Sequence, residues 1–265
     1  MTVRLRFLGA AGYEISGPRG RILIDPFLTD NPVAPCTPDD LATPDVILVT
    51  HGAPDHLGDA ATIASRTGAP VIGGGDVRAL LLDAGLPGSQ VRATIWGIVV
   101  EVAGLVIRPV ESHHWSSVRL SSGAIVSGTP LGFIVEPEDG TRIYHWGDSA
   151  IFGDLRLIGE LYRPAVAIVG PTHPKEIAVL EGPGVLLTGE LSPSEAALAV
   201  RMLGSPIAIA SHYLNADDPE IGEFVADLSA AADGIAPAVL APRPGQTIVV
   251  DGDRAWIDQP AGGRS

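Results

Sequence analysis

The chain has 265 residues, 46% of them hydrophobic, which is enough to bury a substantial core. Its 31 acidic and 17 basic residues give a formal net charge of −14, which disfavours binding to a nucleic-acid backbone or an anionic membrane. The single cysteine excludes an intramolecular disulfide, and we recognise neither a signal peptide nor an apolar run of the roughly 18 to 20 residues that span a membrane. We therefore expect a cytoplasmic protein without nucleic-acid or membrane partners; a homo-oligomer is compatible with this composition.

Strands dominate the start of the chain, and strand–helix units follow them. GPRG (17–20) is typical of a hairpin turn between two early strands. VILVT (46–50) is the continuous apolar run of a strand that is buried on both faces. We predict a helix at 76–85 with Asp76 as its cap and Gly85 as its stop. The other elements predicted in this part are strands at 3–8, 13–16, 21–25 and 70–74 and a helix at 56–66.

The second part of the chain has the same character. SPSEAALAVRML (192–203) predicts a helix, because Ser192 and Glu195 form a capping box and Pro193 occupies the first helical position. We find neither a fixed-period repeat nor a low-complexity linker, so we predict a single domain over residues 1–265, with two packed sheets and helices outside them. The remaining predicted elements are strands near 91–95, 98–102, 105–111, 131–136, 142–146, 165–170, 206–210, 238–241 and 246–250 and helices near 151–161 and 219–232.

Side chains that bind metals follow several apolar strands at the point where each strand ends. Rigid strands aim such side chains, while the adjoining loops leave room for a ligand. Imidazole together with carboxylate suits zinc, iron or manganese better than calcium or magnesium. We therefore predict that these strand ends meet around a metal. The residues concerned are His51 after VILVT, His113 and His114 after VIRPVES, Asp148 after TRIYHWG, and His212 close behind PIAIA.

The segment THGAPDH (50–56) resembles the His-x-His-x-Asp-His motif of the metallo-β-lactamase superfamily, with Ala53 in the place of the second histidine. The resemblance covers nearly the whole chain, and it implies an α/β (α+β) fold, the four-layer αββα sandwich of that superfamily. Within the superfamily, the segments IDPFLTDNP, HLGDA, YHWGDS and HYLN are most similar to the ascorbate-6-phosphate lactonase-like hydrolases. The further matching motifs, in order, are LIDPFL (23–28), His114-Trp-Ser-Ser, GDSAIF (147–152) and SHY (211–213).

The resemblance implies two adjacent metal positions, filled by one or two zinc or manganese ions per chain. The first position would be held by Asp55, His56 and His212, with Asp148 as a bridging ligand. This set is complete. We therefore expect the first position to hold its ion tightly.

The resemblance gives the second position fewer ligands. It would use His51, Asp148 and either His113 or His114, but Ala53 removes the remaining imidazole. Successive side chains of an extended segment point in opposite directions, so both histidines cannot serve, and the family spacing favours His114. Loss of a protein ligand weakens a metal position, so we expect either one bound ion or two with unequal affinity.

Other residues are candidates for supporting the ligands or contacting the substrate. Asp25 would orient a ligand histidine through its free ring nitrogen, or else form a turn at the end of its strand. His113 would support the metal ligands from behind or be a buried partner of the site. Trp115, Lys175 and Tyr213 are candidate substrate contacts; for the aromatic residues a core position, and for the lysine a solvated loop, are the alternatives.

The resemblance implies a metal-dependent hydrolase that uses a metal-activated water on a small molecule, a lactone or another cyclic ester or amide. Asp55 or Asp148 would hold the water and transfer its proton. A small-molecule phosphodiesterase is one alternative. A catalytically weak binding or regulatory protein is another, motivated by Ala53 and by an AAG turn (10–12) that lacks the histidine common in the lactonase-like group. An iron-dependent redox member is a third, less favoured because we recognise no flavin domain.

Overall fold

Two β-sheets pack face to face, and helices cover their outer faces. The computed structural model describes residues 2–173, 190–230 and 236–258 of the chain. The strands in these residues are β1 (Val3–Gly9), β2 (Gly12–Gly17), β3 (Gly20–Ile24), β4 (Val46–Leu48), β5 (Val71–Gly73), β6 (Val91–Ala93), β7 (Val100–Val102), β8 (Leu105–Glu111), β9 (Ser117–Arg119), β10 (Ile125–Ser127), β11 (Leu131–Glu138), β12 (Thr141–His145), β13 (Val166–Val169), β14 (Ile207–Ala210), β15 (Ala238–Leu240), β16 (Thr247–Asp251) and β17 (Arg254–Ile257).

The strand order brings two parallel sets together. The first sheet has the order β17-β16-β1-β2-β3-β4-β5-β6, the second has the order β15-β14-β13-β12-β11-β8-β7, and β9 and β10 form a separate hairpin. Strands β3 to β6 run parallel to one another, and so do β12 to β15. Open α/β sheets bind ligands beyond the carboxyl ends of their parallel strands. The residues that follow β3, β4, β12 and β14 therefore lie where a ligand-binding site is expected.

The helices of the described residues are short. None of them combines the length and the apolar character that crossing a membrane requires. Apart from a 3₁₀ turn at Pro38–Asp40, they are α1 (Pro54–Leu57), α2 (Ala60–Thr67), α3 (Gly75–Asp83), α4 (Leu155–Tyr162), α5 (Pro193–Leu203) and α6 (Pro219–Ser229).

Alternation along the strands decides which layer each apolar side chain fills. In β3, Ile22 and Ile24 belong to the core between the sheets, where they meet Phe133 of β11. The intervening Leu23 belongs to a separate core on the outer face, which it shares with residues of α2 and α3 such as Ile63. Helices α4, α5 and α6 contribute buried residues on the side of the second sheet. The arrangement confirms the predicted four-layer αββα sandwich.

The helix predicted at 56–66 is in fact two helices. Helix α1 ends at Leu57, and α2 begins only at Ala60. Gly58 between them has φ of +43°, and a Cβ on it would lie 2.4 Å from the carbonyl oxygen of Pro26. The close passage of another chain segment therefore interrupts the helical path, a constraint that the local sequence does not reveal.

Asp76 is not the cap of its helix. The N-cap of α3 is Gly74, and the carboxylate of Asp76 instead accepts a hydrogen bond from the hydroxyl of Ser116. The Ser116 oxygen in turn accepts the backbone N–H of Gly52 at 2.9 Å. Asp76 thus connects an outer helix with the loop that carries His51.

Other elements depart from the prediction in smaller ways. Helix α4 begins at Leu155 and not near 151, and Gly85 follows the end of α3 with φ of +93°, as a stop should. The short hairpin of β9 and β10 and the strand β17 were not predicted, because each offers only three or four residues of alternation.

Gly159→Ala should destabilise the protein although alanine favours helices. A Cβ on Gly159 in α4 would lie 2.5 Å from the backbone oxygen of Leu203 in α5, and one helix would have to move. We expect the free energy of unfolding to fall by about 1–3 kcal/mol. Gly222→Ala in α6 is the control: nothing lies within 4 Å of its Cβ position, so it should gain about 0.5–1 kcal/mol. Urea unfolding measures both, and an unchanged or increased stability of Gly159→Ala would contradict the close helix contact.

Candidate metal centre

Five side chains converge beyond the carboxyl ends of the parallel strands. His56 Nε2 lies 3.1 Å from Asp148 Oδ2, and His212 Nε2 lies 3.4 Å from the same oxygen. Asp55 Oδ2 lies 3.6 Å from His56 Nε2 and 3.5 Å from His212 Nε2. Ligand atoms of His51, His56 and Asp148 lie within 4.8 Å of one another. We call this set the His/Asp cluster; its members are His51, Asp55, His56, Asp148 and His212.

His114 extends the cluster on the side of His51. The ring centroid of His51 lies 4.1 Å from that of His56 and 5.0 Å from that of His114, which it meets edge to face. Of the two adjacent histidines, the structure therefore brings His114 to the cluster.

His113 points elsewhere, and the expectation of a buried partner is wrong for its ring. The ring is exposed, stacks on Phe152 with a centroid distance of 4.5 Å, and has its Nε2 2.8 Å from a carboxylate oxygen of Glu111. Only its backbone supports the site: its N–H donates to Ser149 Oγ at 2.8 Å, and its carbonyl accepts the N–H of Ala150 at 3.0 Å. These two bonds hold the loop that carries Asp148.

Backbone strain is concentrated in the same region. Asp25, Asp148 and His212 have φ of +45°, +50° and +60°. Residues with side chains rarely adopt this left-handed conformation, and they keep it only where the surroundings impose it. The chain turns sharply after β3, β12 and β14, and these turns direct the side chains inward instead of along the strand.

Asp25 fixes the orientation of His56. Its Oδ2 lies 2.8 Å from His56 Nδ1 and accepts the Thr50 hydroxyl at 2.7 Å, while its Oδ1 accepts the Thr50 N–H at 2.9 Å. Because Nδ1 is bonded to Asp25, His56 presents Nε2 to the cluster. Carboxylates that lie behind metal-binding histidines commonly orient the ring in this way. His145, on β12, is buried with its Nε2 2.9 Å from the Ala11 carbonyl oxygen.

The buried atoms that face the centre of the cluster fit a metal ion. Within the described residues, His51 Nε2, His56 Nε2, His212 Nε2 and Asp148 Oδ1 are buried and make no hydrogen bond. Buried polar atoms in native proteins almost always have a partner, and leaving them without one is costly. Imidazole and carboxylate donors so close together match the ligand set of zinc, manganese or iron. The residues present therefore fit the implied metal.

Electrostatics divides the histidines of the cluster into two kinds. Burial, with His56 nearby, holds the pKa of His51 well below its ordinary value, so this imidazole is neutral. Burial also opposes a positive charge on His56 and His212, but the nearby carboxylates outweigh burial, and Asp148 contributes most. The pKa of His56 is therefore well above its ordinary value, and the pKa of His212 rises to about 9. Asp148 is buried, yet His212 and His56 lower its pKa and keep it ionised. Without metal, the cluster holds protons where cations would bind.

Glu190 is a member of the site that the sequence did not indicate. Its carboxylate forms a group with Asp148 and His212 in which the ligand atoms lie within 4.8 Å of one another. Burial, followed by the nearby carboxylates, raises its pKa to about 7, although His212 opposes the rise. No predicted strand ends at Glu190, so the pattern that identified the other ligands does not extend to it. The sequence feature nearest to Glu190 is Ser192, the N-cap of α5, two residues further on.

The candidate substrate contacts separate into three cases. Trp115 is 59% exposed beside His114, with ring centroids 5.7 Å apart. Tyr213 is 1% exposed, packs on Phe7 and donates its hydroxyl to the Pro242 carbonyl, so it belongs to the core and its assignment as a substrate contact is wrong. Lys175 lies outside the described residues.

A cleft of about 590 Å³ adjoins the cluster at Asp55. The loop around Gly52, the segment 27–30 and strand β9 form its walls. Phe27 and Leu80 are apolar lining residues, and Arg119 is a cation at its wall. The volume is in the range of sites for small molecules.

Comparison with known proteins identifies the class. The sequence profile described as "Beta-lactamase superfamily domain" matches residues 20–213. Together with the sandwich fold and the His/Asp cluster at its strand ends, this match defines a member of the metallo-β-lactamase superfamily.

Individual relatives narrow the class to a family. Two proteins described as UPF0173 metal-dependent hydrolases are similar: that of Rubrobacter xylanophilus is 38% identical over 79% of this chain and 81% of its own, and that of Methanosarcina mazei is 34% identical over 93% and 98%. Igni18, a metallo hydrolase of Ignicoccus hospitalis, shares the fold with a TM-score of 0.73 and 26% identity, covering 95% of this chain and 99% of that one. The chain belongs to the UPF0173 metal-dependent hydrolase family.

Ala53→His should increase the amount of bound metal. Ala53 precedes α1, two residues from both His51 and Asp55, and its methyl group cannot bind an ion. A histidine there would add an imidazole to the position that His51 and His114 leave incomplete, so we expect more metal per chain, with Ala53→Gln as the control for side-chain size. Elemental analysis after dialysis measures the ratio, and an unchanged ratio would contradict the assignment of ligands around His51.

Metal binding should release protons near neutral pH. His56 and His212 are protonated at about pH 7 in the metal-free protein, because their pKa values are raised, and a metal requires the neutral imidazole. A raised pKa means that the proton leaves only as the pH climbs through the raised value. Apparent affinity should therefore increase from about pH 6 to about pH 9, while proton release per ion decreases. Calorimetric titration in two buffers of different ionisation enthalpy counts the protons; no release near neutrality would argue against these ligands.

Proposed function

We propose that this metal-dependent hydrolase acts on a lactone or another small cyclic ester or amide. The observation that carries the proposal is the His/Asp cluster, which borders an open cleft at Asp55. Within the described residues, His51 Nε2, His56 Nε2, His212 Nε2 and Asp148 Oδ1 of this cluster are buried and make no hydrogen bond. The resemblance of the IDPFLTDNP, HLGDA, YHWGDS and HYLN segments to the lactonase-like group supports the substrate class.

The proposed ligands form two unequal sets around one or two ions of zinc or manganese. Asp55, His56 and His212 would hold one position, Asp148 would be shared between the two, and His51 and His114 would contribute to the other. A divalent ion held there supplies a Lewis acid and lowers the pKa of a bound water from about 16 toward about 7. A nucleophilic serine or cysteine is then unnecessary.

The two candidate catalytic carboxylates have different surroundings. Asp55 borders the cleft, whereas Asp148 is 3% exposed and lies between His56 and His212. Burial opposes ionisation of Asp55, but His56 and His212 lower its pKa, so it is a carboxylate at neutral pH. We assign Asp55 to hold the attacking water and accept its proton, since a general base must reach the substrate side of the site. Asp148 orients the two imidazoles.

The lining of the cleft offers an apolar surface and one cation, Arg119, beside the carboxylates of Asp30, Asp55 and Asp59. Phe27 and Leu80 offer an apolar surface to a ring, and the Arg119 guanidinium offers donors to a carboxylate or phosphate. The arginine also favours the second candidate, hydrolysis of a small phosphodiester. Large nucleic acids are disfavoured by the net charge of −14.

The deciding experiment is turnover of a defined panel by protein reconstituted with zinc or with manganese. The panel comprises five- and six-membered lactones, cyclic amides and small phosphodiesters, each with and without a carboxylate. We expect lactone hydrolysis that disappears on chelation and returns with metal, a kcat at least about 100-fold lower in Asp55→Asn, and a raised KM for anionic substrates in Arg119→Gln. Hydrolysis of the phosphodiesters alone would favour the second candidate. Stoichiometric metal without any turnover would favour a ligand-binding role.

A further inference from the structure

Glu190 is placed at the metal centre by the segment that leads into α5. Its side chain is 18% exposed, and its carboxylate shares a group with Asp148 and His212 whose ligand atoms lie within 4.8 Å of one another. His212 also belongs to the group formed with Asp55 and His56. His212 therefore links the group of Glu190 to the group of Asp55 and His56.

The spacing agrees with ligation of one ion. Bonds of about 2.0–2.2 Å from the metal to nitrogen or oxygen place the ligand atoms of one ion no more than roughly 4.4 Å apart. The group that includes Glu190 is within a few tenths of an ångström of this limit, so a small contraction brings all three donors to a common ion. His212 Nε2, which is buried and makes no hydrogen bond to any described residue, belongs to the same group.

A divalent cation can replace the protons that compensate the carboxylates at this position. Glu190 is the third carboxylate beside Asp55 and Asp148, and the neutral imidazoles of His56 and His212 contribute no charge once a metal has displaced their protons. Carboxylates held this close repel one another strongly in a buried site unless protons or a divalent ion compensate their charge.

Glu190 also changes what kind of ion the position suits. Asp148, Glu190 and His212 offer two carboxylates and one imidazole, which is an oxygen-rich ligand set. Carboxylate ligands and higher coordination numbers suit manganese and ferrous iron, whereas zinc is satisfied by four donors. The second position, with His51 and His114, has the opposite character because imidazoles dominate it.

A structural role of Glu190 makes a different prediction. His173 Nε2 lies 3.7 Å from Glu190 Oε2, and the backbone N–H of His173 donates to Glu220 Oε2 at 3.2 Å. If Glu190 served only to anchor His173, its loss would lower stability and leave metal binding unchanged. Glu220 provides the comparison, since it contacts the same residue but forms no part of the metal-binding groups in the described residues.

We propose that Glu190, together with Asp148 and His212, is a direct ligand of the metal centre, and that it makes this position selective for manganese or ferrous iron relative to zinc. The proposal rests on the metal centre of the proposed function, but it concerns the choice of metal and not the substrate.

The test compares Mn²⁺ and Zn²⁺ binding by metal-free wild type, Glu190→Gln, Glu190→Asp and Glu220→Gln. Loss of the free Mn²⁺ signal in electron paramagnetic resonance measures manganese affinity, and competition with a chromophoric chelator measures zinc affinity. We expect Glu190→Gln to weaken Mn²⁺ binding about 10- to 100-fold and Zn²⁺ binding much less. Glu190→Asp keeps the charge but is shorter, so it should also lose manganese affinity, whereas Glu220→Gln should stay within about twofold of wild type.

Three results would overturn the proposal. Unchanged manganese affinity in both Glu190 variants would show that Glu190 is not a ligand, and equal losses for Mn²⁺ and Zn²⁺ would show that it does not select the metal. An effect of Glu220→Gln as large as that of Glu190→Gln would show that the whole segment, and not one ligand, is responsible. Binding of neither metal by the wild type would overturn the metal centre itself, which distinguishes failure of the proposed function from failure of this inference alone.

Discussion

Carboxylates and imidazoles buried within hydrogen-bonding distance of one another need a compensating charge, and this constraint governs the rest of the site. Asp148 lies at the centre of these contacts, because both His56 and His212 approach the same oxygen of its carboxylate. Without metal the compensation comes from protons on the imidazoles, as the raised pKa of His212 shows. With metal it comes from the ion. The left-handed residues that follow β3, β12 and β14 lie at this site, and their strain is kept where the surrounding structure imposes it.

The elements with strong local patterns could be predicted from the sequence, and those shaped by distant contacts could not. VILVT (46–50) and the capped helix α5 follow from hydrophobic runs and from the Ser192–Glu195 box, which act locally. The interruption at Gly58 depends on the backbone of Pro26, which is remote in sequence. Predicted helix and strand ends elsewhere shift by a few residues, as local signals allow.

The same distinction holds for the candidate site. Residues such as His51 follow apolar strands, and the motif resemblance indicates their grouping; the structure brings them together. Glu190 has no such strand before it, so only the folded chain reveals its proximity to His212. Tyr213 shows the reverse error, since its neighbour in sequence faces the cluster while its own ring faces the core. On extended backbone the side chains of consecutive residues point apart, so sequence proximity to a ligand is there weak grounds for a role in the site.

The hydroxyl of Ser116 has a consequence for how the cleft and the metal centre are joined. It is bonded at once to Asp76 on an outer helix and to the backbone of Gly52, next to His51, and the following residue begins strand β9 of the cleft wall. Wall and metal loop share one buried bond, so neither can shift without straining the other. Through this one hydroxyl, the cleft wall that begins at Ser117 and the loop that carries His51 share an anchor on α3.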